Sequence, residues 1–232
     1  MLKTSLLAVL LIAFVPMMMA QNTTGYIAAV QLAPSQFAQV ALSNISTGQV
    51  STTINILNSS GGTFATKTSN VSANKTFVFR FQNGSATAVY SAVVTSSVAS
   101  TIVADLQVLG LNNEVSAVLI PQPITKTVVN IPSARLVPGQ SGVASVTNIT
   151  TATVQFTLTV LDANGKTVLT ESPSLSAGQT LSYSFSNQGT ANNGYRAVVS
   201  TSVANTVVAD MLLLEKTTGQ IMAILIPQPI TM

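Results

Sequence analysis

The sequence contains no cysteine, histidine or tryptophan, and only 6% of its 232 residues are charged. Without thiol or imidazole there is no disulfide, no cysteine nucleophile, no histidine general base and no Cys/His zinc site. There is no Gly-x-Ser-x-Gly elbow, and no glycine-rich phosphate loop opens a helix. Serine is plentiful, but a serine nucleophile needs a positioned base, and only lysine is on hand for that task. These absences predict a protein that is not an enzyme and has no catalytic residues, cofactor or metal.

Charge is scarce as well as weakly biased. Nine Lys/Arg against six Asp/Glu give a net charge of +3, and the basic residues stand singly along the chain. A nucleic-acid surface needs them clustered, so no nucleic-acid partner is expected. Hydrophobic types make up 47% of the chain, far too many for disorder, and the length allows one or two domains.

The N-terminus has the three parts of an export signal. Met1 to Thr4 carries one positive charge, Leu6 to Val15 is unbroken apolar sequence, and Met18-Met19-Ala20 precedes the polar Gln21. The apolar stretch is about 15 residues long where a membrane span needs about 20, so residues 1–20 read as a cleaved signal peptide. The mature chain is then expected without a membrane span, in a secreted, extracellular or cell-surface location, with the periplasm also open. Asn-X-Ser/Thr triplets at Asn22, Asn44, Asn58, Asn70, Asn74, Asn83 and Asn148 are candidate glycan acceptors for such a chain.

The chain repeats itself. Tyr90-Ser-Ala-Val-Val-Thr-Ser-Ser-Val-Ala-Ser-Thr-Ile-Val-Ala-Asp105 returns as Tyr195-Arg-Ala-Val-Val-Ser-Thr-Ser-Val-Ala-Asn-Thr-Val-Val-Ala-Asp210. Leu119-Ile-Pro-Gln-Pro-Ile-Thr125 returns as Leu225-Ile-Pro-Gln-Pro-Ile-Thr231. Upstream, Pro34, Gln36, Asn44, Leu57, Gly61, Phe81 and Asn83 meet Pro138, Gln140, Asn148, Leu161, Gly165, Phe185 and Asn187. A period this long is a duplicated domain and not a stacked solenoid. The expected organisation is a signal peptide (1–20), a first domain (21–125) and its duplicate (126–232). The prolines between them predict a short, stiff joint and a rod of two domains.

Within each copy the apolar period is two. Val50, Thr52, Ile54 and Ile56 alternate with polar residues, as do Val154, Phe156, Leu158 and Val160. Each run ends in a turn, at Asn58-Ser-Ser-Gly-Gly62 and Asp162-Ala-Asn-Gly165, where Gly or Asn accepts positive φ. Phe77, Phe79 and Phe81, and their counterparts Leu181, Tyr183 and Phe185, are expected in the cores. Ile102 to Leu109 and Val207 to Leu214 are apolar almost throughout and read as central strands covered on both faces. With seven or eight such strands per copy, the fold class is all-β: two tandem antiparallel Greek-key sandwiches. From about Thr24 onward the chain resembles tandem immunoglobulin-like or fibronectin-III-like extracellular modules, without their Cys, Trp, Cys signature. Gly194-Tyr-Arg-Ala-Val-Val-Ser200 also resembles secreted bacterial sandwich repeats, which implies a surface or matrix role.

Asp105 and Asp210 are the only acidic residues at equivalent positions in both copies. Calcium wants six to eight oxygens, and neither Asp has a close acidic neighbour, so pairing with a backbone amide or a basic side chain is the expectation. Lys67, Lys75 and Lys166 are possible isopeptide donors, but Glu171, Gln179 and Gly62 stand at the matching positions. Tyr26, Tyr90, Tyr183 and Tyr195 could stack on sugars, although the last three fall in strands. The strands present Thr, Ser, Ala, Asn and Gln more than guarding charges, which opposes edge pairing poorly. These features predict a non-enzymatic structural or adhesive protein with a protein or cell-surface partner, self-association included. The alternatives are a filament subunit donating Gln21 to Ala33 to a neighbour, a periplasmic pilus chaperone, or a carbohydrate-binding module.

Overall fold

The computed structural model describes residues 24–99, 101–109, 115–119, 127–215 and 221–225. The signal segment, Asn22 and both Ile-Pro-Gln-Pro-Ile stretches lie outside them. The described residues form strands, turns and bends, with no helix among them.

The alternation read from the sequence builds the strands. In β3 (Val50–Asn58) the buried side chains are Val50, Thr52, Ile54 and Ile56, and in β11 (Val154–Asp162) they are Val154, Phe156, Leu158 and Val160. One sheet of the first half is ordered β1 (Thr24–Leu32), β6 (Ala88–Ser96), β3 and β4 (Thr63–Val71). The other is ordered β5 (Thr76–Gln82), β2 (Phe37–Asn44), β7 (Ile102–Leu109) and β8 (Val115–Leu119). The second half repeats this order. Its first sheet runs β9 (Val128–Leu136), β15 (Asn193–Thr201), β11 and β12 (Thr167–Glu171), with β13 (Ser174–Leu175) also on β11. Its second runs β14 (Thr180–Ser186), β10 (Ser141–Asn148), β16 (Val207–Leu214) and β17 (Ile221–Leu225). Every pairing is antiparallel.

Pairing of β2 with β5 and of β3 with β6 matches the B–E and C–F pairs of an immunoglobulin sandwich. Two positions depart from it. The first strand sits beside β6, where that fold places its seventh, and β7 sits beside β2, where that fold places its first. A register shift recurs in the first strand of each half, between Ile27 and Val30 and between Ile131 and Ala134. Of the segment considered as a donated strand, Thr24–Leu32 is the edge strand β1 of its own chain's sheet, and Gln21 to Thr23 lie outside the described residues.

The cores are more aliphatic than the aromatic alternation predicts. Phe81 and Phe185 are buried, but Phe77, Phe79, Leu181 and Tyr183 are only partly so, because β5 and β14 are edge strands.

The expected rod is replaced by a broad contact between the halves. In β10 and β16, Val143, Ser145 and Thr147 pair with Leu212, Asp210 and Val208, and side chains two apart share a face. Val143, Val208 and Leu212 belong to the apolar cluster of the first half, together with Ala28 and Val30 of β1. The opposite face, with Ala144, Val146, Ala209 and Met211, fills the second half's own core. Strand β16 is thus covered on both faces, as expected, whereas Val103, Asp105 and Gln107 of β7 remain half-exposed. The contact continues at the turns: the Thr180 amide donates to the Ser59 carbonyl at 3.0 Å. A Cβ at Gly178 would lie 3.2 Å from Leu57 Cδ1, and Leu57 is paired with Ser91.

Candidate functional site

Most polar side chains repeated in both copies clamp the chain. Asn83 and Asn187 are buried at the end of each sandwich. Asn83 Nδ2 donates to the carbonyls of Leu32, Ala33 and Ala86, while its Oδ1 accepts from the Tyr90 hydroxyl at 2.9 Å. Asn187 does the same toward Leu136 and Ala191, and Tyr195 donates to it at 3.2 Å. At the other end Asn44 donates to Gly48 and Val71 carbonyls, and Asn148 to those of Ala152, Leu175 and Ser176. Gln36 and Gln140 each bridge the start of β2 or β10 to the end of β7 or β16. A buried amide that satisfies several carbonyls removes the cost of leaving them unpaired, and that accounts for these residues recurring.

This geometry divides the candidate glycan acceptors. Asn44, Asn83 and Asn148 are buried, with Nδ2 already donating, so in the folded chain they are core amides. Asn70 and Asn74 are exposed, on β4 and in the turn after it. Asn58 turns its Oδ1 to the amides of Ser60 and Gly62, as Asp162 does to those of Asn164 and Lys166 in the second copy.

The repeated acids depart from this pattern and from the expected pairing. Asp210 is fully buried at the contact between the halves, and neither carboxylate oxygen has a hydrogen-bond partner. Burial pushes its carboxyl well above the ordinary carboxylate range. Beside it, Ser145 is bonded to Ser182 and not to the acid. Asp105 occupies the same place on the half-exposed face of β7, with Oδ1 buried and unpaired. Burial raises this carboxyl too, and the Gln107 side chain opposes the shift. No group of three or more metal-ligating side chains occurs among the described residues.

The other candidates are dispersed. Tyr90 and Tyr195 are buried and bonded to Asn83 and Asn187, and Tyr26 and Tyr183 are partly buried against the cores. Lys67, Lys75 and Lys166 are exposed. A shallow, open depression of about 220 Å³ is lined by Gln155, Phe156, Thr157, Ser172, Ser200, Thr201 and Ser202. The Thr157 and Ser172 hydroxyls bond to each other at 2.9 Å, the Thr201 hydroxyl donates to the Val203 carbonyl, and no ionisable group lines it. The sequence reading missed an exposed aromatic: the Phe64 ring on β4 lies tilted at 55° to that of Tyr90, with centroids 4.8 Å apart, and it sits next to a turn, outside any aromatic alternation.

No family model matches this chain, and no curated protein matches it. Among solved structures it is similar to Bacteroides uniformis beta-glucuronidase 2 at 14% identity and a TM-score of 0.21, covering 88% of this chain and 26% of that one. It is also similar to an anti-sigma factor domain-containing protein at 4% identity and a TM-score of 0.25, covering 83% and 79%. The chain spans about a quarter of the glucuronidase's length, and the fold described above rests on the strand pairings alone. No helix among the described residues is long and apolar enough to cross a membrane.

Proposed function

We propose that this chain is an exported, non-enzymatic scaffold or adhesive module that acts through its sheet surfaces. The observation that carries the reading is the use made of the repeated polar residues. Asn44, Asn83, Gln36, Tyr90 and their second-copy counterparts hold backbone or each other and face no common cleft. What the two halves leave to solvent is broad sheet surface of hydroxyl and amide side chains, suited to contact over an area.

Two measurements test it. The exported protein should begin at Gln21 by intact mass, and the purified chain should be inert across ester, peptide, glycoside and phosphate substrates. A hydrolytic turnover abolished by one substitution at an exposed residue would overturn the scaffold reading. Retention of Met1 to Ala20 would overturn cleavage while leaving the surface role standing.

A further inference from the structure

The duplication sets one acid in two environments. Asp105 and Asp210 stand at the same point of their strands, paired with Ala41 on β2 and with Ser145 on β10. Beside Asp105 the next pair along the same face is Gln39 with Gln107, whose side chains bond each other at 2.7 Å, and Gln107 also favours the charged form of the acid. Beside Asp210 those two positions hold Val143 and Leu212, and both belong to the apolar cluster that includes Ala28 of β1. The copy that meets the other half thus carries aliphatic side chains in place of both glutamines, yet the same carboxyl.

A carboxyl is a poor component of such a contact. Asp210 is fully buried with neither oxygen partnered, and Ser145 across the pair is engaged with Ser182. An ionised carboxylate without a partner in apolar surroundings is so costly that the group stays neutral instead. No described neighbour alters this. Strand β16 packs against β10, β17, β1, β9 and β15. The described residues of β10 and β17 include no ionisable side chain, β1 brings only Tyr26, and the flanking β6 and β14 bring Tyr90 and Tyr183. Strands β9 and β15 lie on the opposite face of β16, with Ala209 and Met211; their Arg135 and Arg196 are exposed, and Tyr195 is bonded to Asn187. The closed contact therefore holds Asp210 as the neutral acid, whereas separated halves would let the carboxylate reach water.

We propose that the contact between the halves is a pH-controlled joint, closed while Asp210 is protonated and opening locally, without loss of either sandwich, as pH rises. In the open form the carboxyl titrates near the ordinary 3.8, and in the closed form well above it. Below about pH 4 the group is protonated in both forms, opening releases no proton, and the joint is at its tightest. From there up to the closed form's own titration each opening releases one proton, so the open population grows about tenfold per pH unit. What opening uncovers is apolar, with Val143, Val208 and Leu212 on one side and Ala28 on the other. Asp105, half-exposed already, takes no part. The joint is a property of this chain alone and goes beyond the scaffold reading without resting on it.

The chain contains its own reporter. The Thr180 amide donates to the Ser59 carbonyl across the contact, so its hydrogen exchange follows opening of the joint, whereas the amide of Ile54, in the central strand β3, follows unfolding of the first half. The test is residue-by-residue amide exchange by NMR on the full exported chain from about pH 4 to about pH 8, corrected for the intrinsic exchange rate. Protection at Thr180 should fall about tenfold per pH unit until the closed form titrates, and Ile54 should stay better protected throughout. Asp210→Asn and Asp210→Ala should each hold Thr180 protection flat with pH, and Asp105→Asn should leave the wild-type slope unchanged. Should one uncharged variant fail to fold the other serves, and the carboxyl carbon shift of Asp210 in the wild type should titrate above that of Asp105. A flat wild-type profile overturns the proposal, as does a slope that survives the loss of the Asp210 charge or an Asp210 carboxyl that titrates no higher than Asp105. Equal protection at Thr180 and Ile54 at every pH overturns it too, because the contact would then open only with the fold. None of those outcomes bears on the scaffold reading, which fails on catalytic turnover instead.

Discussion

The carbonyl oxygen of Ala177 lies 2.5 Å from where a Cβ on Gly61 would stand, so the halves meet at a residue with no room for a side chain. Gly61 also has φ +84°, which a non-glycine residue adopts only under strain. Gly61→Ala is expected to cost about 2–4 kcal/mol in urea unfolding, from strain plus displacement of the 176–179 turn. Gly165→Ala, at φ +78° with nothing within 4 Å, should cost only about 1 kcal/mol. Equal costs would show that the contact contributes nothing.

Asn83 and Tyr90 form the buried joint of the first half. Asn83→Ala strands three carbonyls and a phenol, and about 2–4 kcal/mol of stability should be lost. Tyr90→Phe removes one hydrogen bond and keeps the ring, for about 1 kcal/mol. Chemical denaturation of the two variants and their double mutant should show non-additive losses, since the residues share one network.

Stability should fall as pH rises from acid to neutral. The carboxyl of Asp210 titrates near 3.8 when unfolded and well above that when buried. Below about pH 4 it is protonated in both states and costs nothing. As pH rises toward the folded value, the unfolded chain gives up a proton that the folded chain keeps. The loss is about 1.4 kcal/mol per pH unit over that window. Across β1, β6, β10, β14, β16 and β17 the ionisable side chains are Tyr26, Tyr90, Tyr183 and Asp210, so no cation on these strands offsets it. Asp210→Asn should flatten the slope of melting temperature against pH between 4 and neutral. Asp105→Asn, at a half-exposed site, should change it less.

Expressed in a glycosylating host, the folded secreted chain should carry sugar at Asn58, Asn70 or Asn74 and none at Asn44, Asn83 or Asn148. Peptide mass mapping decides this, and occupancy at Asn83 in soluble, natively melting protein would contradict the buried joint.

Strand identity was legible because alternation is a local signal: Ile54 and Leu158 are core residues on their pattern alone. The duplication was legible for the same reason, residue against residue. The contact between halves was hidden, since Val143, Val208 and Leu212 alternate like any core face and only topology says which side meets what. The roles of Asn83 and Asn148 were masked by their triplets, which read as acceptors when the buried amide was the cause. The partnerless carboxyl of Asp210 went against the expectation that a repeated acid pairs.

Covering β16 on both faces has a consequence in time. The first half is complete before Val208 and Leu212 have been synthesised, and roughly a hundred more residues take on the order of 5–20 seconds at translation rates. During that interval Ala28 of β1 faces solvent, next to a sheet edge with few charges to discourage a stranger. Until its own duplicate arrives that face is apolar surface beside an open strand edge, the kind of surface through which incomplete chains associate wrongly.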